Sequence, residues 1–75
     1  MELANFVIKH LNRQFMCRFD SSEEIILYFD EGLTITIDVD IKWCRIHHHW
    51  NLQKSIDLEN CWDDNQQCLE LIIEN

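Results

Sequence analysis

Seventy-five residues carrying a formal net charge of −8 make one small domain, 1-75, in which folding withdraws only about 60% of the unfolded chain's surface from water. Apolar residues at 47%, among them three Trp, four Phe and one Tyr, are too many for a disordered acidic tail, so the chain folds around a modest core. The longest apolar run, Ile25 to Phe29, falls far short of the roughly 18–20 residues that span a bilayer, which argues against a membrane role.

Glu2 to Asn12 reads as an amphipathic helix, because Leu3, Val7, His10 and Leu11 recur at helical spacing with Ala4 and Ile8 beside them. The same stretch mixes Glu2, Asn5, Lys9 and His10 among its apolar positions, unlike a secretory leader, so a cytoplasmic location is expected. From Phe15 the period changes to two. Phe15, Cys17 and Phe19 predict an inward strand face, as do Ile25, Leu27 and Phe29. Leu33, Ile35, Ile37, Val39 and Ile41, interleaved with Thr34, Thr36, Asp38 and Asp40, predict a β-branched strand with one wet side.

Asp30-Glu31-Gly32 is the turn before that strand. A three-residue loop with Gly32 left-handed pairs Leu27 with Ile35 and Ile25 with Ile37, whereas a two-residue loop would put the apolar faces on opposite sides. The same parity pairs Phe19 with Ile25, giving a three-stranded antiparallel meander from Phe15 to Ile41. Lys42 to Trp50 reads as a further strand whose inward face is either Trp43 or Cys44, Ile46 and Trp50. At the C-terminus Asp63 and Gln66 would pair as a helix cap, but Leu69, Leu71 and Ile73 alternate, and the expectation is a strand over Cys68 to Glu74. The fold expected is α+β: an antiparallel sheet of four or five strands with one N-terminal helix on the Phe15, Leu27, Ile35, Ile37 face.

Chemical motifs are few. His47 and His49, if on a strand, project to one side, but the local sequence offers neither a third ligand nor a paired Cys motif, so no metal is expected. Cys17, Cys44, Cys61 and Cys68 lie 27, 17 and 7 positions apart, unlike a short-loop disulfide scaffold, and read as reduced structural cysteines. The single glycine is already used by the hairpin, leaving no glycine-rich turn to stabilise an oxyanion. No catalytic residue and no cofactor are expected.

Charge is the informative property. Between Arg18 and Lys42 there is no Lys or Arg, while Asp20, Glu23, Glu24, Asp30, Glu31, Asp38 and Asp40 make that stretch −7. Asp57, Glu59, Asp63, Asp64, Glu70 and Glu74 add −6 after Lys54. Direct nucleic-acid binding needs a basic face that neutralises phosphates, and outside a patch of Lys42, Arg45 and His47 to His49 this chain has none; an acidic surface points instead to a basic protein target. Trp43 and Trp50, flanking Arg45 and the histidines, are candidate aromatic anchors for such a partner.

Ile26-Leu27-Tyr28-Phe29-Asp30-Glu31-Gly32, followed by the alternating strand and Trp43, resembles a hairpin of small bacterial domains of unknown function. In size, acidity and lack of cofactor motifs the chain resembles phage-encoded anti-defence inhibitors of the anti-CRISPR and anti-restriction type. The resemblance implies an inhibitor that works in the host cytoplasm on a nucleic-acid-processing enzyme. On an extended strand Asp38 and Asp40 would present carboxylates roughly 6.6 Å apart, comparable to neighbouring phosphates. The other class that fits is an interaction or immunity module, a homodimer through a sheet edge.

Overall fold

The computed structural model describes residues 2–74. Helix α1 (Leu3–His10) is followed by β1 (Phe15–Asp20), β2 (Glu24–Phe29), β3 (Leu33–Asp38), β4 (Trp43–His48) and β5 (Asn51–Asp57), and the chain closes with helix α2 (Asn65–Ile73). Short 3-10 turns occupy Asp30–Gly32 and Glu59–Cys61. The strands form one antiparallel sheet in sequence order, so every connection within it is a hairpin. The α+β class and a five-stranded antiparallel sheet agree with the sequence reading; the second helix does not, since Cys68 to Glu74 was expected to be a strand.

Helix forms there for two reasons. Asp64 caps the first turn, its carboxylate accepting the Gln67 N–H at 3.1 Å, and Cys68, Leu69 and Ile72 fall on one helical face and are buried. The cap is therefore Asp64 with Gln67, one position beyond the Asp63 and Gln66 pair. Leu71 and Ile73, whose alternation with Leu69 suggested a strand, lie half-buried and exposed at the margin of that face.

The predicted β2–β3 hairpin is found: Leu27 faces Ile35 and Ile25 faces Ile37, with Gly32 left-handed at φ +76°. Gly32 also admits its neighbour, since a Cβ there would sit 2.5 Å from Nδ1 of His49. Strand β1 departs from simple alternation. A bulge between Phe15 and Cys17 keeps Phe15 opposite Phe29 but turns Cys17 and Phe19 to the other face and Arg18 toward the helices. Phe19 consequently pairs with Ile26, not Ile25, and is 59% exposed. The third strand also stops early, at Asp38, so Val39 and Ile41 belong to a turn and Ile41 is exposed.

One face of the sheet is covered. Leu27, Ile35, Ile37, Cys44 and Ile46 pack with Leu3, Ala4 and Val7 of α1, Leu58 of the connecting segment, and Cys68, Leu69 and Ile72 of α2. Arg18 ties α1 to the sheet by donating to Asn5 Oδ1 at 2.7 Å and Glu2 Oε1 at 2.6 Å, and Lys54 of β5 donates to Leu71 O of α2 at 2.9 Å. The opposite face has no covering element among the described residues. Register arranges it in three cross-strand rows: Glu24, Asp38, Trp43 and Asp57; Phe19, Ile26, Thr36, Arg45 and Ser55; Cys17, Tyr28, Thr34, His47 and Leu52.

Candidate functional site

An antiparallel meander sends alternate connections to opposite ends of the sheet, and this decides where the charge goes. The β1–β2 loop, the β3–β4 turn and the segment leaving β5 share one end, which gathers Asp20, Glu23, Glu24, Asp38, Asp40, Asp57 and Glu59. These are not merely near in topology. Val39 N–H donates to Glu23 O at 2.9 Å, joining the first loop to the second, and Leu58 N–H donates to Lys42 O at 2.8 Å, joining the second to the third.

Each carboxylate has its own circumstances. Asp38 Oδ1 accepts the backbone N–H groups of Asp40 at 3.1 Å and Ile41 at 3.3 Å, which turns the chain at the end of β3; Lys42 completes the turn at φ +56°. The two aspartates therefore do not sit on one extended strand, and the regular spacing expected of Asp38 and Asp40 is not found. Asp20 is gripped by Arg18, with Nε–Oδ1 at 2.7 Å, and this hydrogen bond holds its carboxyl below the usual carboxylate range. Glu24 meets Arg45 at 3.2 Å and Glu59 meets Lys42 at 3.8 Å. Asp57 caps the following 3-10 turn by accepting the Glu59 N–H at 2.9 Å. Glu23 and Asp40 are exposed and have no ion pair among the described residues. Three cations thus lie among seven carboxylates, and the end remains net negative.

Trp43 stands at the junction of this end with the uncovered face, its cross-strand neighbours being Asp38 and Asp57 and its indole N–H donating to Ser55 Oγ at 3.3 Å. The remaining expected contact residues are at the far end of the sheet. Asp30 and Glu31 occupy the β2–β3 turn, where Arg13 pairs with them at 3.0 and 3.9 Å. Trp50 is neither inward nor on a strand: it is 81% exposed at the tip of the β4–β5 hairpin. His49 and Trp50 both take positive φ, +49° and +70°, the conformation of a two-residue hairpin turn that ordinarily selects Asn-Gly. His47 lies on the open face and His49 in the turn, so the shared strand side expected of them does not arise; the His48 and His49 rings lie 4.6 Å apart. Among the described residues no group of three His, Cys, Asp or Glu side chains converges on a point.

Of the nine expected contact residues, the fold brings Asp20, Glu23, Glu24, Asp38, Asp40 and Trp43 together and separates Asp30, Glu31 and Trp50. Sequence reasoning overlooked the open face that adjoins them, with Phe19, Ile26, Tyr28 and Leu52. The signal was present in the apolar residues at the polar-phase positions Ile26 and Tyr28, but the bulge that adds Phe19 leaves no mark in the periodicity. No helix among the described residues is long and apolar enough to cross a membrane. No protein-family model, curated protein or solved structure matches this chain.

Proposed function

We propose that the protein is a non-enzymatic inhibitor that lays its acidic end, with Trp43 at the margin, against the cationic surface of a bacterial nucleic-acid-processing defence enzyme of the CRISPR or restriction type. The observation that supports this reading is the convergence of Asp20, Glu23, Glu24, Asp38, Asp40, Asp57 and Glu59 on one end of the sheet. Enzymes that hold DNA do so in basic channels, and a surface with excess carboxylate is steered to such a channel and competes with phosphate for it. Glu23 and Asp40 supply the charge that no internal partner neutralises, while Asp38 shapes the turn that presents Asp40. The experiment is cleavage of labelled DNA by a set of purified restriction and CRISPR nucleases with and without the protein. Inhibition that excess DNA relieves, and that Glu23→Gln with Asp40→Asn weakens, supports the reading; no inhibition of any DNA-binding enzyme counts against it.

A second reading rests on a different observation, the uncovered face bearing Phe19, Ile26, Tyr28, Trp43 and Leu52, of which Phe19 and Leu52 are 59% and 56% exposed. Exposed aromatic groups of this kind serve as anchors for a protein partner or a second copy. In that case Phe19→Ser and Trp43→Ala abolish binding, and neither salt nor charge substitutions matter much.

A further inference from the structure

The connection between β5 and α2, which starts beside Asp57 and Glu59 of the acidic end, brings two cysteines together. Sγ of Cys61, in the 3-10 turn Glu59–Cys61, lies 2.9 Å from Sγ of Cys68, in the second turn of α2. Both thiols are held in place: Cys68 Sγ–H donates to Cys61 O at 3.0 Å, and Cys61 Sγ–H donates to Leu58 O at 3.6 Å. Bringing the sulfurs to the ~2.05 Å of a covalent bond needs a shift of under roughly 1 Å. Among the described residues neither other thiol makes so close a sulfur contact: Cys17 is exposed on the open face, and Cys44 is wholly buried beneath the helices, near enough to Cys68 to contribute to its raised pKa.

Access to the pair is one-sided. Cys68 is fully buried, and burial pushes its thiol up to about 12. Cys61 is 6% exposed and lines a surface cavity of about 540 Å³ with Asp57, Asn60, Gln67, Glu70, Leu71 and Glu74. Three of these lining residues, Asp57, Glu70 and Glu74, carry carboxylates, and their charge disfavours anionic oxidants such as glutathione disulfide relative to a small neutral one.

We propose that Cys61 and Cys68 form a dithiol modification site, which hydrogen peroxide converts to an intramolecular disulfide that staples the 3-10 turn to α2. The Cys61 thiol gives up its proton and its sulfur attacks one peroxide oxygen, forming an S–O bond as the O–O bond breaks; the leaving hydroxide takes up that proton and departs as water. Cys68 then gives up its proton and attacks the Cys61 sulfur, forming the S–S bond as the S–O bond breaks and the oxygen departs as water. Two thiols are oxidised by two electrons, one peroxide is reduced, and two waters result.

The test uses the full chain carrying Cys17→Ser, which removes the exposed thiol as a route to intermolecular disulfides. Peroxide treatment followed by alkylation and peptide mapping is expected to give a Cys61–Cys68 crosslinked peptide, a mass lower by two hydrogens, and one free thiol, Cys44. The crosslink raises the melting temperature by roughly 5–15 °C, reversibly on dithiothreitol, by limiting the unfolded chain. Glutathione disulfide at the same concentration reacts more slowly. Cys68→Ser removes the crosslink and leaves Cys61 to accumulate oxygen adducts. Oxygenated Cys61 without a crosslink in the Cys17→Ser protein, a crosslink to Cys44, or thiols unchanged by a dose that oxidises Cys17 in the parent overturns the site. A crosslink that leaves the melting temperature unchanged overturns the staple. Because the mapping is done on protein that retains both cysteines, the result does not depend on whether Cys68→Ser folds.

Discussion

The two ends of the sheet are closed by turns of similar length, yet one gathers seven carboxylates and the other presents His49, Trp50 and a pair of acids already held by Arg13. The difference follows from connectivity. In a meander, the first and third hairpins open to the same side, so Asp20 to Glu24 and Asp38 to Asp40, separated by a whole hairpin in sequence, come together in space. Asp30 and Glu31 belong to the intervening turn and are carried away. A block of like charge in sequence is thus divided by parity, and the relevant quantity is charge per end, not charge per stretch.

Both ends rest on the same floor, so the largest effect comes from breaking it. Leu27→Ala or Ile35→Ala, at residues 0% and 1% exposed, should cost about 2–5 kcal/mol and destabilise both ends together, read as a lowered thermal midpoint. Gly32→Ala is local to the histidine and tryptophan end. It combines a left-handed backbone with an approach of 2.5 Å to the His49 ring, and should cost about 1–3 kcal/mol in chemical denaturation while leaving partner binding by the folded protein unchanged.

How much of this contrast could be read beforehand depends on what each residue encodes. The β2–β3 hairpin was legible because β-branched alternation and the parity of its glycine turn allow one register, and Leu27 with Ile35 confirms it. The first strand was only half legible: the bulge after Phe15 exchanges the faces of Cys17, Arg18 and Phe19, and nothing in an alternating string says where an extra residue sits. Arg18 gains most from that exchange, since it reaches Glu2 and Asn5 across the face that periodicity assigns to Cys17 and Phe19. The third strand was overextended because Val39 and Ile41 keep the apolar phase, while the determinant of its end is a side-chain bond from Asp38 to the following amides. In α2, Leu69, Leu71 and Ile73 suit either period, and burial of Cys68 and Ile72 against the sheet resolves the choice in favour of helix. At the candidate site the acidic residues were visible and their grouping was not, because grouping depends on which turns share an end.

A finer prediction concerns pH. The Arg18 hydrogen bond lowers the Asp20 pKa in the folded state, so the unfolded chain binds more protons as acid is added. The stabilisation is present above the ordinary carboxylate range and is lost as pH falls through the lowered Asp20 value. Carboxyl-carbon NMR should show Asp20 titrating below the ordinary aspartate range, and Arg18→Gln should bring it back up. An Asp20 midpoint already in the ordinary range in the parent protein would contradict the pairing.

The proposed role of the acidic end in gripping a partner is open to test by capture of proteins from defence-system-bearing bacterial cells at low and high salt. The parent protein is compared with Asp38→Asn combined with Asp40→Asn and with Trp43→Ala. Asn at position 38 can still accept the two turn amides, so the first variant changes charge with little change of shape. Capture of a basic nucleic-acid-processing enzyme should fall steeply with salt, as exposed charge pairs are screened over about 8–10 Å, and should weaken more with the Asp pair than with Trp43→Ala. Capture indifferent to salt and to the Asp pair, yet abolished by Trp43→Ala, would contradict it and move the binding site to the open face of the sheet.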